Sequence, residues 1–192
     1  MNLSKVLYFG DFVACPVTVF VLATLALAGR DIETAGLWLL IAFTGVGAWT
    51  LFEYVVHRWV YHRVAFFAKF HDAHHMNPRA MIGAPSFVSV VLILAVFFVP
   101  LLPVGLVAAS GFASGALLGY TGYMLVHHLS HHGEQRPGTL LYQARLRHMA
   151  HHYHDTPGNY GVTTSFWDWV FSTNLERRRR YATVATEMTR PS

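Results

Sequence analysis

The sequence predicts an all-α integral membrane protein, with four transmembrane helices and a cytoplasmic, histidine-rich helical cap that holds a dinuclear metal site. Three observations predict it. The 192 residues are 54% hydrophobic and only 12% charged, about half the roughly 25% charged residues of a soluble domain. The apolar residues gather into long uncharged runs. The 13 histidines fall into four clusters beside the ends of those runs.

Residues 12–29 form the first run, 18 residues long, which is the minimum for a helix crossing a hydrocarbon core of about 30 Å. Its end, "ALAG", resembles a signal-peptide cleavage site. Asp11 and Pro16 interrupt the n- and h-regions such a peptide needs, so the span is expected to be retained. Cys15, the single cysteine, rules out an internal disulfide framework and a Cys-rich zinc site; it is expected as a small buried hydrophobe. Residues 36–56 form the second span, interrupted only by Glu53 near its end. A long uncharged block, residues 80–126, is divided by Pro100 and Pro103, because proline breaks a helix interior. Spans over 85–102 and 104–126 follow, joined by a tight turn. Gly111, Ser114, Gly115, Gly119 and Gly122 give the fourth span the small residues that let helices approach closely in lipid. The remaining segments, 57–84 and 127–180, make the cap, and the sequence reads as one domain over 1–192.

Basic residues set the orientation. Lys5 precedes the first span; Arg58, Arg63, Lys69 and Arg79 lie between the second and third; Arg136, Arg145, Arg147 and the run Arg177 to Arg180 follow the fourth. The other side has only Arg30, beside Asp31 and Glu33. The positive-inside rule therefore places both termini and every histidine cluster in the cytoplasm. In this setting the four-arginine run reads as a topology signal and anionic-lipid contact, not a nucleic-acid site.

The clusters are "HRWVYH" (His57, His62), "HDAHH" (His71, His74, His75), "HHLSHH" (His127, His128, His131, His132) and "HMAHHYH" (His148, His151, His152, His154). Residues at i, i+3 and i+4 share a helix face, so each H-x-x-H-H triplet is expected to present three imidazoles to one point. His57 and His62 would diverge by about 140° on an ideal helix; they converge if the helix ends or bulges π-fashion between them. "HHLSHH" allows His127 with His131, His128 with His132, or the triplet His128, His131 and His132. Two triplets and two pairs make ten ligands, too many for one metal and suited to two. Neutral imidazole binds zinc, iron, copper and nickel alike.

The four boxes in this order resemble the fatty acid hydroxylase superfamily, which includes sterol desaturases and consists of integral-membrane, non-haem di-iron enzymes. The resemblance covers residues 52–173 and includes "FEYVVHRWVYH" and "NYGVTTSFWDWVFST". It implies His57, His62, His71, His74, His75, His127, His131, His148, His151 and His152 as ligands of two iron ions, which zinc can replace in a purified sample. It implies a lipid hydroxylase using dioxygen and a membrane lipid substrate. No haem-binding donor segment accompanies the boxes, so electrons are expected from a separate protein. The same site would suit a lipid desaturase or carotenoid hydroxylase.

Several polar residues are placed to act behind the ligands. Glu53, one turn before His57, is costly at that depth unless paired; it can accept from a ligating histidine or pair with Arg58. Asp72, His128, His132, His154, Asp155 and Asn159 are further candidates for such support. Asp168 reads as a helix or turn partner. Two other classes fit less well. A metal transporter should place ionisable residues at mid-membrane, yet "SFVSVVLILAVFFV" has none. A zinc hydrolase needs a general base such as the glutamate of H-E-x-x-H, and that motif is missing. Nothing in the sequence sets an oligomeric state.

Overall fold

The computed structural model describes residues 3–176; the Arg177 to Arg180 run lies outside the described residues. Helices form the framework of the described residues: α1 Lys5–Phe9, α2 Asp11–Leu27, α3 Ile32–Val55, α4 Ala65–Met76, α5 Ser86–Phe97, α6 Leu106–His132, α7 Leu140–Tyr153 and α8 Phe166–Val170. A π-helical turn, Val56–Tyr61, continues α3, and a 3-10 segment, Val99–Val104, follows α5.

Local chemistry explains the boundaries. The Asp31 carboxylate caps α3 by accepting from Thr34 N at 2.8 Å, and Thr139 caps α7 by accepting from Tyr142 N at 3.2 Å. Pro100 and Pro103 end α5 in the 3-10 segment, and Gly105 (φ +130°) turns the backbone into α6. Three helical stretches are long and apolar enough to cross a membrane: Lys5–Leu27, Ile32–Tyr61 and Ser86–Val104. The expected fourth span, α6, is a continuous helix of 27 residues but less apolar, because Gly, Ser, Thr and Tyr replace aliphatic side chains along it. It tolerates that composition because it is the central helix. Ser110, Gly111, Ala113, Ser114, Gly115, Ala116 and Leu117 are all buried, and large apolar side chains such as Phe20, Leu39, Phe43 and Phe87 point outward instead.

The centre of the molecule is the α3–α6 contact. A Cβ at Gly115 would collide with the Ala42 carbonyl oxygen, and one at Gly45 with the Phe112 carbonyl oxygen. A Cβ would lie 3.0 Å from the Trp38 carbonyl oxygen at Gly111 and 2.7 Å from the Trp49 side chain at Gly119, while Gly122 faces open space. The close approach thus uses Gly111, Gly115 and Gly119 and not Gly122. Trp38 Nε1 donates to Ser110 Oγ at 3.0 Å across this interface. A buried cluster of Cys15, Leu22, Trp49, Ile93, Phe97, Ala113, Ala116 and Leu117 joins α2, α3, α5 and α6. Beside it, the Tyr120 hydroxyl donates to Asp11 Oδ2 at 2.6 Å and lies 2.9 Å from Ser89 Oγ, so the buried aspartate on α2 is partnered from α5 and α6. The bundle therefore fixes the ends of α3 and α6, from which His57, His62, His127 and His131 project.

Candidate metal centre

The ten boxed histidines come together as two groups of five. One contains His57, His62, His71, His75 and His151; the other His74, His127, His131, His148 and His152. Within each group the ligand nitrogens all lie within 4.8 Å of one another. We call these the 57-group and the 74-group.

Neither triplet converges on one point, contrary to the reading from spacing. His71 and His75 enter the 57-group while His74 enters the other; His148 and His152 enter the 74-group while His151 crosses over. The reason is angular. Residues four apart on a helix differ by about 40°, but adjacent residues differ by about 100°, too wide for both rings to reach one ion. Each H-x-x-H-H box therefore supplies an i, i+4 pair to one group and a single ring to the other, so α4 and α7 hold the two groups together.

The pairs converge as their spacing allowed. The π-helical turn over Val56–Tyr61 lowers the twist per residue, bringing His57 and His62 onto one side with ring centroids 5.3 Å apart. From "HHLSHH", the i, i+4 pair His127 and His131 is the one used. His128 and His132 stack on each other with centroids 4.4 Å apart, and the Tyr8 hydroxyl lies 3.3 Å from His128 Nδ1. His154 accepts from Thr156 N at 3.1 Å.

The donor geometry fits metal ions. In the 57-group, His71 Nε2 lies 3.1 Å from His57 Nε2, 3.1 Å from His62 Nε2 and 3.0 Å from His75 Nε2; His62 Nε2 is 3.2 Å from His151 Nε2. One ring N–H cannot serve three neighbours. Moreover His57 Nδ1 lies 2.6 Å from the Tyr160 carbonyl oxygen and His151 Nδ1 2.8 Å from that of Gly158. Those contacts place the proton of His57 and His151 on Nδ1, leaving their Nε2 atoms as bare lone pairs aimed at a crowd of ring nitrogens with too few protons to pair them all. A cation supplies the missing partner. The 74-group repeats the pattern, with Nε2–Nε2 separations of 3.0 Å (His127–His74), 2.8 Å (His148–His131) and 3.1 Å (His152–His148).

Electrostatics favour the same state. Burial, followed by the neighbouring imidazoles, holds His74 and His75 down to about 4, and His152 to about 2. Burial also lowers His151, to about 3, although its bond to Gly158 pulls upward. His71 and His148 are lowered by the same causes. At neutral pH these rings are uncharged, the form that binds metals.

The carbonyls behind His57 and His151 lie on the loop after α7, which two buried carboxylates grip. Asp168 accepts from Tyr160 N and Gly161 N, both at 2.8 Å, and from Thr173 Oγ1 at 2.6 Å. Glu53 accepts from Val162 N at 2.7 Å, Thr163 N at 2.9 Å and the Thr163 hydroxyl. Glu53 thus supports the site through this loop and touches neither of the partners expected for it. Arg58 instead donates to the Tyr54 hydroxyl at 2.8 Å, because the returning loop occupies the carboxylate first. Asp168 is the turn partner expected, and its wider role was illegible in sequence because it holds residues eight and seven positions back. Asn159, at φ +53°, accepts from Leu175 N and donates to the Arg147 carbonyl, shaping the loop rather than touching a histidine. Asp72 is exposed and acts on His62 and His75 only as a nearby charge; Asp155 is exposed as well. An open cavity of about 810 Å³ is lined by Ala73, Met76, Arg79, Ile82 and Tyr153 among others, and none of the ten histidines lines it.

Comparison with known proteins points the same way. A family model described as fatty acid hydroxylase matches residues 42–173. The sequence is 31% identical over 168 residues to the dihydroceramide fatty acyl 2-hydroxylase FAH2 of Arabidopsis thaliana, covering 82% of this protein and 69% of that one. It is 32% identical to the ceramide very long chain fatty acid hydroxylase scs7 of Schizosaccharomyces pombe, over 67% of this protein and 40% of that one. With the fatty acid 2-hydroxylase of Rattus norvegicus the identity is 31%, over 67% and 38% respectively, so the match spans well under half of these last two. A solved structure described as full-length scs7p, with only the hydroxylase domain visible, superposes with a TM-score of 0.74 at 27% identity, covering 88% of this protein and 66% of that one.

Proposed function

Because this protein belongs to the fatty acid hydroxylase family, we propose that it is a membrane-bound, non-haem di-iron oxygenase that hydroxylates an acyl C–H bond of a fatty acid or ceramide-like lipid. The observation that carries the reading is the pair of five-histidine groups whose Nε2 atoms face one another, 3.1 Å apart for His57 and His71 and 2.8 Å for His148 and His131. All ten boxed histidines are the ligands, five to each iron. The relatives named above as 2-hydroxylases direct the reading to carbon 2 of the acyl group. The reaction consumes one dioxygen, two electrons and two protons, converting R–H to R–OH and water, with the electrons delivered by a separate donor protein.

Bound iron would supply dioxygen activation at a centre with neutral ligands. The protein supplies the rest. His57 and His151 are fixed in the Nε2-ligating tautomer by the Tyr160 and Gly158 carbonyls. Shared ligation from α4 and α7 fixes the separation of the two positions, and burial keeps water away and the imidazoles uncharged. Four spans, with α6 the fourth, hold this assembly at the cytoplasmic surface, where a lipid tail enters from the bilayer. The basic residues Arg58, Arg63, Lys69 and Arg79 on the histidine side support that orientation.

The test is expression in a host that lacks 2-hydroxy lipids, with mass spectrometry of the released fatty acids. A 2-hydroxy product, lost in His75→Ala together with metal, is the expected result. Appearance of a double bond with no hydroxyl product would identify a desaturase instead. Two tightly held zincs, with no iron even in active membranes, would remove the oxygenase reading.

A further inference from the structure

We infer that the two metal positions are held unequally: Glu53 and Asp168 form a clamp that orients ligands of the 57-group alone. The inference rests on the two-metal reading above. Both Nδ1–carbonyl contacts, His57 to Tyr160 and His151 to Gly158, belong to the 57-group. The accepting loop is gripped at four consecutive amides: Tyr160 and Gly161 donate to Asp168, Val162 and Thr163 to Glu53. Asp168 is fully buried and Glu53 nearly so, at 0% and 5% exposure.

One peptide unit does most of the coupling. The Tyr160 carbonyl and the Gly161 N–H belong to the same planar group. Its N–H donates to Asp168 Oδ2 while its oxygen lies against His57 Nδ1. Asp168 therefore fixes the plane from one side and the imidazole reads it from the other. A carboxylate on the N–H end also increases the negative character of the carbonyl oxygen, strengthening its hold on the Nδ1 proton and making Nε2 a better donor to metal. The loop's other carbonyl is steadied by a neutral partner, since Asn159 N donates to the Thr173 carbonyl at 3.0 Å.

The 74-group lacks this support. Nδ1 of His74, His148 and His152 is buried with no hydrogen-bond partner among the described residues. Those rings are oriented by packing against one another. Glu53 and Asp168 are thus positioning residues for one metal and bystanders to the other, and the 57-group retains its metal against the stronger competitor.

The test uses Asp168→Asn, which keeps an oxygen for Tyr160 N but turns an amide N–H₂ toward Gly161 N–H. The variant is placed in two backgrounds. His148→Ala disables the 74-group, and His62→Ala disables the 57-group. Metal per protein molecule is measured by plasma mass spectrometry after dialysis of detergent-purified protein against graded chelator. Circular dichroism and size-exclusion elution monitor the fold. In the His148→Ala background, Asp168→Asn should lower the chelator concentration for half-removal by about 10–100-fold, the usual cost of losing support behind a ligand. In the His62→Ala background it should leave that concentration unchanged. Equal shifts in both backgrounds, or none in either, overturn the inference. Glu53→Gln keeps an oxygen acceptor for the Val162 and Thr163 amides and should give a smaller shift of the same selectivity, so the comparison survives if Asp168→Asn does not fold. Wild-type protein holding other than two metals would instead defeat the two-metal reading itself.

Discussion

Replacing Gly115 by alanine should destabilise the bundle, whereas the same change at Gly122 should not. A Cβ at Gly115 would lie 2.8 Å from Val46 N and from the Ala42 carbonyl carbon, and closer still to the Ala42 oxygen. All three are backbone atoms of α3, so no side-chain rotation relieves the contact and the two helices must separate. Overpacking of this kind costs about 1–3 kcal/mol, and the rigid partner argues for the upper end. Alanine recovers about 1 kcal/mol of helix propensity over glycine, leaving a net loss of about 2 kcal/mol. At Gly122 a Cβ meets nothing within 4 Å, so only the gain remains, about 0.4–1 kcal/mol. Thermal unfolding in detergent, followed by far-ultraviolet circular dichroism, compares the two. Gly115→Ala melting at or above wild type would refute the claim that α3 and α6 touch through backbone at this level.

Removing the Tyr120 hydroxyl with Tyr120→Phe should cost about 1–3 kcal/mol, because Asp11 loses the Tyr120 donor while the carboxyl stays buried; an unchanged melting temperature would show that Ser89 on α5 satisfies Asp11 by itself. His128→Ala and His132→Ala should leave the metal content intact, since both rings lie outside the two groups, and a loss of metal comparable to that of His71→Ala would add them to the ligands. Metal-free protein should lose stability as the pH falls. His74 and His75 are held to about 4 by burial against about 6.5 unfolded, so between those values the unfolded state binds more protons and is favoured. Denaturation midpoints should therefore drop from pH 7 to pH 5, and a flat profile would contradict burial of these rings.

Much of this was readable along the sequence. Hydropathy marked each apolar run that became a helix, and the two prolines marked the break between α5 and α6. The five-residue spacing of His57 and His62 demanded a local distortion, which the π-helical turn provides. The less apolar composition of α6 followed from glycines and serines visible in the sequence, although their use against α3 was settled by packing: Gly115 touches backbone and Gly122, of the same type, faces space.

Helical spacing in the sequence marked both H-x-x-H-H boxes and an i, i+4 pair within "HHLSHH". Which pair of that box belongs to the site came only from the resemblance and is settled by the packing that sets His127 and His131 among the other rings. The helical angle alone splits each triplet. Tertiary structure decided how the rings group, because which rings of α4 join which rings of α7 depends on where the opposing helix lies. It also decided what stands behind the rings. Glu53 reaches amides 109 and 110 residues away, and no local period encodes a contact of that separation. Chemistry repeated within a turn of helix is legible in one dimension; a carboxylate's partner across the fold exists only once the backbone has returned to it.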